Sequence, residues 1–131
     1  LLDVLGGFGA YPAVIARELD RYLPFLATTR ILTAAVRAGA GREEAHEVIK
    51  GHAVSVALEM RESGASGNDL IERLAADDRL PLERDAIDEA LGEPLSFTGA
   101  AGVQVTAFAA RVERLLAEHP EVEQYRHEDV L

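Results

Sequence analysis

Residues 24–38 read PFLATTRILTAAVRA, and this stretch decides the fold class. Its apolar side chains lie on most sides of a helix of about 3.6 residues per turn, and its polar ones form a narrow stripe at Arg30, Thr33 and Arg37. A helix that is apolar on most sides is buried among other helices. The stretch therefore predicts a helix packed inside a helical bundle, with Pro24 opening its first turn.

The sequence on both sides of this stretch also has helical periodicity. Upstream, Pro12 predicts the start of a separate helix that reaches about Tyr22. Downstream, residues 39–41 (Gly-Ala-Gly) end the helix, and apolar residues then recur at helical spacing from about Arg42 to Glu62.

The last third of the chain predicts three shorter helices. One follows Asn68, which suits an N-cap, and one follows Pro81 and ends at Gly92. The last helix ends at Pro120 and carries apolar residues at helical spacing: Val105, Phe108, Val112, Leu115 and Leu116. Because no stretch alternates convincingly as a strand would, the sequence predicts an all-α protein.

Composition excludes several classes of function. The 131 residues (14.1 kDa, 48% hydrophobic) suffice for one globular domain, and without cysteine there is no disulfide, thiolate metal site or thiol nucleophile. This fits a reducing compartment, so we expect a cytoplasmic protein. The net charge of −10 makes nucleic acid and anionic membranes poor partners, and no apolar run is long enough to span a bilayer.

Histidine and serine suggest two kinds of catalytic or metal site, and neither is favoured. His46 and His52 are six residues apart, so their imidazoles lie about 120° apart around a helix and do not chelate one ion. His119 and His127 lie in or beside the acidic tail, and we predict solvated or interface histidines and no metal. Ser63 and Ser66 lie in a glycine-rich loop without a basic partner, which is more typical of a linker than of a nucleophile.

The charged residues leave one alternative open. Carboxylates such as Glu43-Glu44 and Asp77-Asp78 fall on polar helix faces or turns, so we expect them to be solvated. The other acidic residues considered with them are Asp85, Asp88 and Glu89. Arg17 and Arg21 are one helical turn apart and suit either an anion clamp or, more often, a contact with neighbouring acids or a subunit. A helix–turn–helix around residues 39–41 is disfavoured, because Glu43, Glu44 and Glu47 would meet phosphates.

Several short pieces of sequence occur together in the order and spacing of one enzyme family. They are Tyr11-Pro12-x-Val14-Ile15, Leu23-Pro24-Phe25-x-Ala27-Thr28, Val36-x-Ala38-Gly39, Arg42-x-x-x-His46-Glu47-x-Ile49, Asn68-Asp69-Leu70-Ile71-Glu72-Arg73-Leu74, Ala76-Asp77, and Ser96-Phe97-Thr98-Gly99 with Gln104-Val105. With this set the chain resembles the C-terminal part of adenylosuccinate lyase, in the fumarase/aspartase superfamily. The second piece and the Phe-Thr-Gly piece are the most specific.

The resemblance implies an all-helical, homotetrameric enzyme of purine biosynthesis. Such enzymes release fumarate from adenylosuccinate, leaving AMP, and from the succinyl-aminoimidazole carboxamide ribotide. A serine on a mobile loop removes a proton, a histidine protonates the leaving nitrogen, and no cofactor is required. The family's serine loop, catalytic histidine segment and phosphate-binding cluster lie upstream of the matching region, so no catalytic, substrate-binding or metal residue is assigned in this chain.

The resemblance also implies how the chain is organised. Residues 1–38 would be the end of the central helical bundle and residues 39–131 the small C-terminal helical domain. The apolar start, Leu1-Leu2-Asp3-Val4-Leu5, supports the expectation that the chain begins inside a larger fold. Its partners would be the rest of the same enzyme and the other subunits of the tetramer, and a purine nucleotide would bind only in the full enzyme. We expect the segment to be inactive alone; the alternative is a stand-alone acidic helical module that binds other proteins.

Overall fold

The computed structural model describes residues 2–124, and within this range every regular element is helical. The α-helices are α1 (Leu2–Gly6), α2 (Pro12–Arg37), α3 (Arg42–Ser63), α4 (Leu70–Ala75), α5 (Arg84–Leu91) and α6 (Ala101–Glu118). Two 3₁₀ turns, Pro94–Phe97 and Pro120–Gln124, complete the described elements. The prediction of an all-α fold is confirmed.

The chain forms two compact units, and the first consists of residues 12–94. Within it α2 packs on α3 and α5, and α4 contacts all three of these helices. Fourteen apolar side chains form its core: Leu23, Ala27, Ile31, Ala35, Ala45, Val48, Ile49, Val56, Met60, Leu70, Ile71, Leu74, Leu80 and Ile87. Each large side chain among them contributes about 1.5–3 kcal/mol by leaving water. The apolar face predicted for α3 is therefore the face that packs.

Helix α2 is continuous through Pro24, so the prediction of two helices separated at that residue is wrong. Proline removes one backbone donor from a helix interior and disfavours the helical conformation of the residue before it. Here Leu23, Pro24 and Ala27 are all buried, and they lie on the face that packs against the other helices of the unit. We attribute the continuity of α2 to this tertiary packing, which offsets the local cost of proline.

Glycine and asparagine define the loop between α3 and α4. Helix α3 ends at Ser63, and its C-cap Gly64 has a φ of 69°, in the left-handed region that glycine adopts without strain. Asn68 Oδ1 accepts a hydrogen bond from the backbone N–H of Leu70 at 3.0 Å, but the N-cap of α4 is Asp69, so the prediction of Asn68 as the N-cap is wrong by one residue. Asn68 Nδ2 donates to the carbonyl of Arg21 at 2.7 Å, which fixes the loop to α2.

The second unit consists, in the described part of the chain, of residues 2–11 and 95–124. Helix α6 has no buried residue, and Val105 and Phe108 are each 68% exposed. The apolar residues predicted for the last helix are present on α6, and none of them is buried in the described part of the chain. None of the helices between residues 2 and 124 combines the length and apolar character needed to cross a membrane.

Candidate functional site

An ionic cluster joins α3 to the turn after α4. His52 Nε2 lies 2.7 Å from Oδ2 of Asp77. Arg79 holds the same carboxylate with two side-chain bonds, Nη2 to Oδ2 at 2.6 Å and Nε to Oδ1 at 2.9 Å. The backbone N–H of Arg79 donates to Oδ1 at 3.0 Å, so both oxygens of Asp77 are occupied.

The electrostatics of this cluster follow from its geometry. The hydrogen bonds from Arg79 and then from His52 stabilise the charged carboxylate and hold the pKa of Asp77 well below its usual range. The Asp77 side chain is only 11% exposed, so the prediction of a solvated carboxylate is wrong at this position. An aspartate so held is a poor general base, and the cluster acts as a clamp that fastens the turn to α3.

The remaining histidines do not join this cluster. His46 is exposed, and its Nδ1 lies 3.6 Å from Glu47 Oε1 on the same helix. His119 Nδ1 lies 3.2 Å from Glu121 Oε1, and His127 lies outside the described residues. Among residues 2–124 no group of three or more potential ligands gathers to hold a metal ion.

The glycine-rich loop that contains Ser63 and Ser66 is held by local hydrogen bonds. Ser63 Oγ donates to the carbonyl of Glu59 at 2.6 Å and accepts from the backbone N–H of Ala65 at 3.2 Å. This hydroxyl therefore caps the end of α3. Ser66 is exposed in the same loop.

A second ionic network lies beside this loop and links α3 to α4. Arg73 donates to both carboxylate oxygens of Glu59, at 2.8 and 2.6 Å, and to Asp69 Oδ2 at 2.9 Å. The bonds from Arg73, with one from Ser55, lower the pKa of Glu59 to about 2. The network is exposed, and it holds the loop between helices without creating a reactive group.

The remaining acidic residues lie at the surface. Asp78 is exposed beside the clamp, and Glu43, Glu44, Asp85 and Glu89 are exposed on α3 and α5. Asp88 pairs with Arg84 at 2.9 Å, one helical turn away. The prediction of solvated carboxylates is confirmed for these residues.

Arg17 and Arg21 lie one turn apart on α2, but their side chains make different contacts. Arg17 is exposed and pairs with its neighbour Glu18 at 3.4 Å. Arg21 instead lines a pocket of about 290 Å³ between α2 and α3, together with Arg61. Sequence reasoning missed Arg61, because a residue forty positions away gives no signal of its proximity before the helices are packed.

The sequence of the chain is similar to one family of enzymes. The sequence model of the family described as adenylosuccinate lyase C-terminus matches residues 24–108. The adenylosuccinate lyase of Saccharomyces cerevisiae is 38% identical over 111 residues, which are 85% of this chain and 23% of the yeast protein. The adenylosuccinate lyase of Schizosaccharomyces pombe is 35% identical over 108 residues, which are 82% of this chain and 22% of that protein. The adenylosuccinate lyase of Schistosoma mansoni is 36% identical over 78 residues, which are 59% of this chain and 16% of that protein.

Proposed function

Because the chain belongs to the adenylosuccinate lyase family, we propose that it is the C-terminal region of such an enzyme and is inactive by itself. The observation that carries the proposal is the family match over residues 24–108. The chain spans less than a quarter of the length of the relatives from the two yeasts, so catalytic groups contributed by the other three-quarters are not expected in it.

In the proposed full enzyme the reaction is a β-elimination that releases fumarate from adenylosuccinate and from the succinyl-aminoimidazole carboxamide ribotide. A base removes a proton from the succinyl carbon, an acid protonates the departing nitrogen, and hydrogen-bond donors stabilise the carbanion-like intermediate. The family's serine-loop motif, Gly-Ser-Ser-x-Met-Pro-x-Lys-x-Asn-Pro, does not occur among these 131 residues. We therefore assign the acid and the base to the upstream part of the enzyme.

The role of this region is to support the bundle and the homotetramer. Exposed apolar side chains support that role, since contiguous apolar surface in a soluble protein marks a contact. On α2, Ile15, Tyr22 and Leu26 are 49%, 48% and 61% exposed, and on α6 Val105 and Phe108 are each 68% exposed. We propose that residues 1–38 complete the central bundle and that residues 39–131 form the C-terminal domain.

The assay that tests this function is fumarate release from adenylosuccinate, measured for the 131-residue chain and for the purified product of its native gene. The proposal predicts release by the native gene product and none by the 131-residue chain at equal molar concentration. Turnover by the 131-residue chain would overturn its assigned inactivity. A native gene product that binds other proteins but releases no fumarate would favour the acidic interaction module.

A further inference from the structure

The pocket between α2 and α3 combines apolar walls with two cationic groups. Tyr22, Phe25, Ala57 and Met60 supply the apolar lining, and Arg21 and Arg61 supply the charge. Its volume of about 290 Å³ is at the lower end of small-molecule sites, so it suits a ligand of about one aromatic ring.

The two guanidinium groups have no acidic partner among residues 2–124. Neither Arg21 nor Arg61 forms an ion pair within that range, and Arg21 Nε is the buried side-chain polar atom there that has no hydrogen-bond partner. Such a state is costly for a charged donor. The chain carries 23 acidic residues against 13 basic ones, and yet no acidic residue of the described range pairs with either of these two arginines.

The apolar lining of the pocket suits a planar group. The guanidinium carbon of Arg21 lies 5.4 Å from the centroid of the Tyr22 ring, a distance at which the ring attracts and orients the cation. Arg21 O accepts the side-chain amide of Asn68 at 2.7 Å, so the backbone beneath this arginine is fixed. Two aromatic side chains and the Met60 thioether offer contacts that suit another aromatic ring.

We propose that this pocket binds a small planar anion, an aromatic ring that carries a phosphate or carboxylate group. The oxyanion pairs with Arg21 and Arg61 and supplies the acceptor that Arg21 Nε lacks, while the ring lies against Tyr22, Phe25 and Met60. The site uses no catalytic group, so it stands apart from the lyase reaction.

The test uses phenyl phosphate as the probe and the full 131-residue chain as the protein. Met60 is the only methionine in the sequence, so a chain labelled with ¹³C at the methionine methyl reports on the pocket through one native signal, which Met60→Leu assigns. The expected result is a saturable shift of this signal with a dissociation constant on the order of 1 mM, typical for a ligand of this size. Phenol and inorganic phosphate, each carrying half of the proposed chemistry, are expected to bind at least about tenfold more weakly.

Variants distinguish binding in this pocket from nonspecific binding of anions to arginines. Arg21→Gln and Arg61→Gln are each expected to weaken phenyl phosphate binding by about tenfold, whereas Arg37→Gln, an exposed arginine at the end of α2, leaves it unchanged. Far-UV circular dichroism checks the fold of each variant, and the exposed Arg61 keeps the test valid if Arg21→Gln fails to fold.

Three results would overturn the proposal. The first is the absence of any saturable shift, as expected if protein covers the pocket. The second is equal binding of phenyl phosphate by the wild-type chain and both pocket variants. The third is phenol or phosphate binding as tightly as the whole probe.

Discussion

Asp77→Asn tests the clamp between α3 and the turn after α4. The substitution keeps the size of the side chain and removes its charge. It also replaces one acceptor oxygen by an amide N–H₂ donor, which then faces the donor nitrogens of His52 or Arg79. Because Arg79 is 62% exposed, its pair contributes little, and most of the loss comes from the bonds to His52 and to the backbone around a carboxylate that is 11% exposed. We expect a loss of about 2 kcal/mol in the free energy of unfolding at pH 7, measured by urea titration with circular dichroism.

The pH dependence of this loss has a definite sign. The pKa of Asp77 is lowered in the folded chain, so the carboxylate contributes its full stabilisation above the unfolded value of 3.8 and loses it as the pH falls through the folded value. The difference in the free energy of unfolding between wild type and Asp77→Asn is therefore expected to become smaller below about pH 4. Asp78→Asn is the matched control, since this exposed neighbour should change stability by less than about 0.5 kcal/mol. Equal effects of the two variants, or a difference that stays constant down to pH 2, would refute the reasoning.

Three further predictions concern the second ionic network, the core and the exposed face of α6. The Glu59 carboxyl is expected to titrate at about pH 2 in carbon NMR and to move upward in Arg73→Gln; an unchanged midpoint would contradict the assigned cause. Ile31→Ala, at a fully buried site, should cost about 2–5 kcal/mol in urea unfolding, whereas Leu26→Ala, 61% exposed, should cost far less. The isolated chain should self-associate in analytical ultracentrifugation, and Phe108→Gln should weaken this association without loss of helix; a clean monomer at high concentration would argue against an unpartnered face.

The helices were predictable from the sequence where periodicity and end signals agree. The apolar repeat from Arg42 gives α3 almost to the residue, because the same face that repeats in sequence is the one that packs. The local rule for proline failed at Pro24, because burial of the surrounding residues outweighs a single missing hydrogen bond. On α6 the repeat identifies an apolar face, but periodicity carries no information on whether a partner covers it.

The candidate sites were less predictable, because each joins residues far apart in the chain. His52 and Asp77 are 25 positions apart, and their 2.7 Å contact depends on how the turn after α4 returns to α3. For Arg17 and Arg21 the sequence favoured contacts with neighbouring acids or a subunit over an anion clamp, and Arg17 does pair with Glu18. Arg61, which lines the pocket with Arg21, comes from another helix. Residue type alone left the role of Arg21 open, and only the packing of helices identifies its neighbours in the pocket.

The intact mass of the protein produced from its native gene tests the central claim most directly. If the chain is the C-terminal region of an adenylosuccinate lyase, the measured mass will be several times the 14.1 kDa of these 131 residues. A mass close to 14.1 kDa would contradict that claim and would direct attention to a protein partner for the exposed faces of α2 and α6.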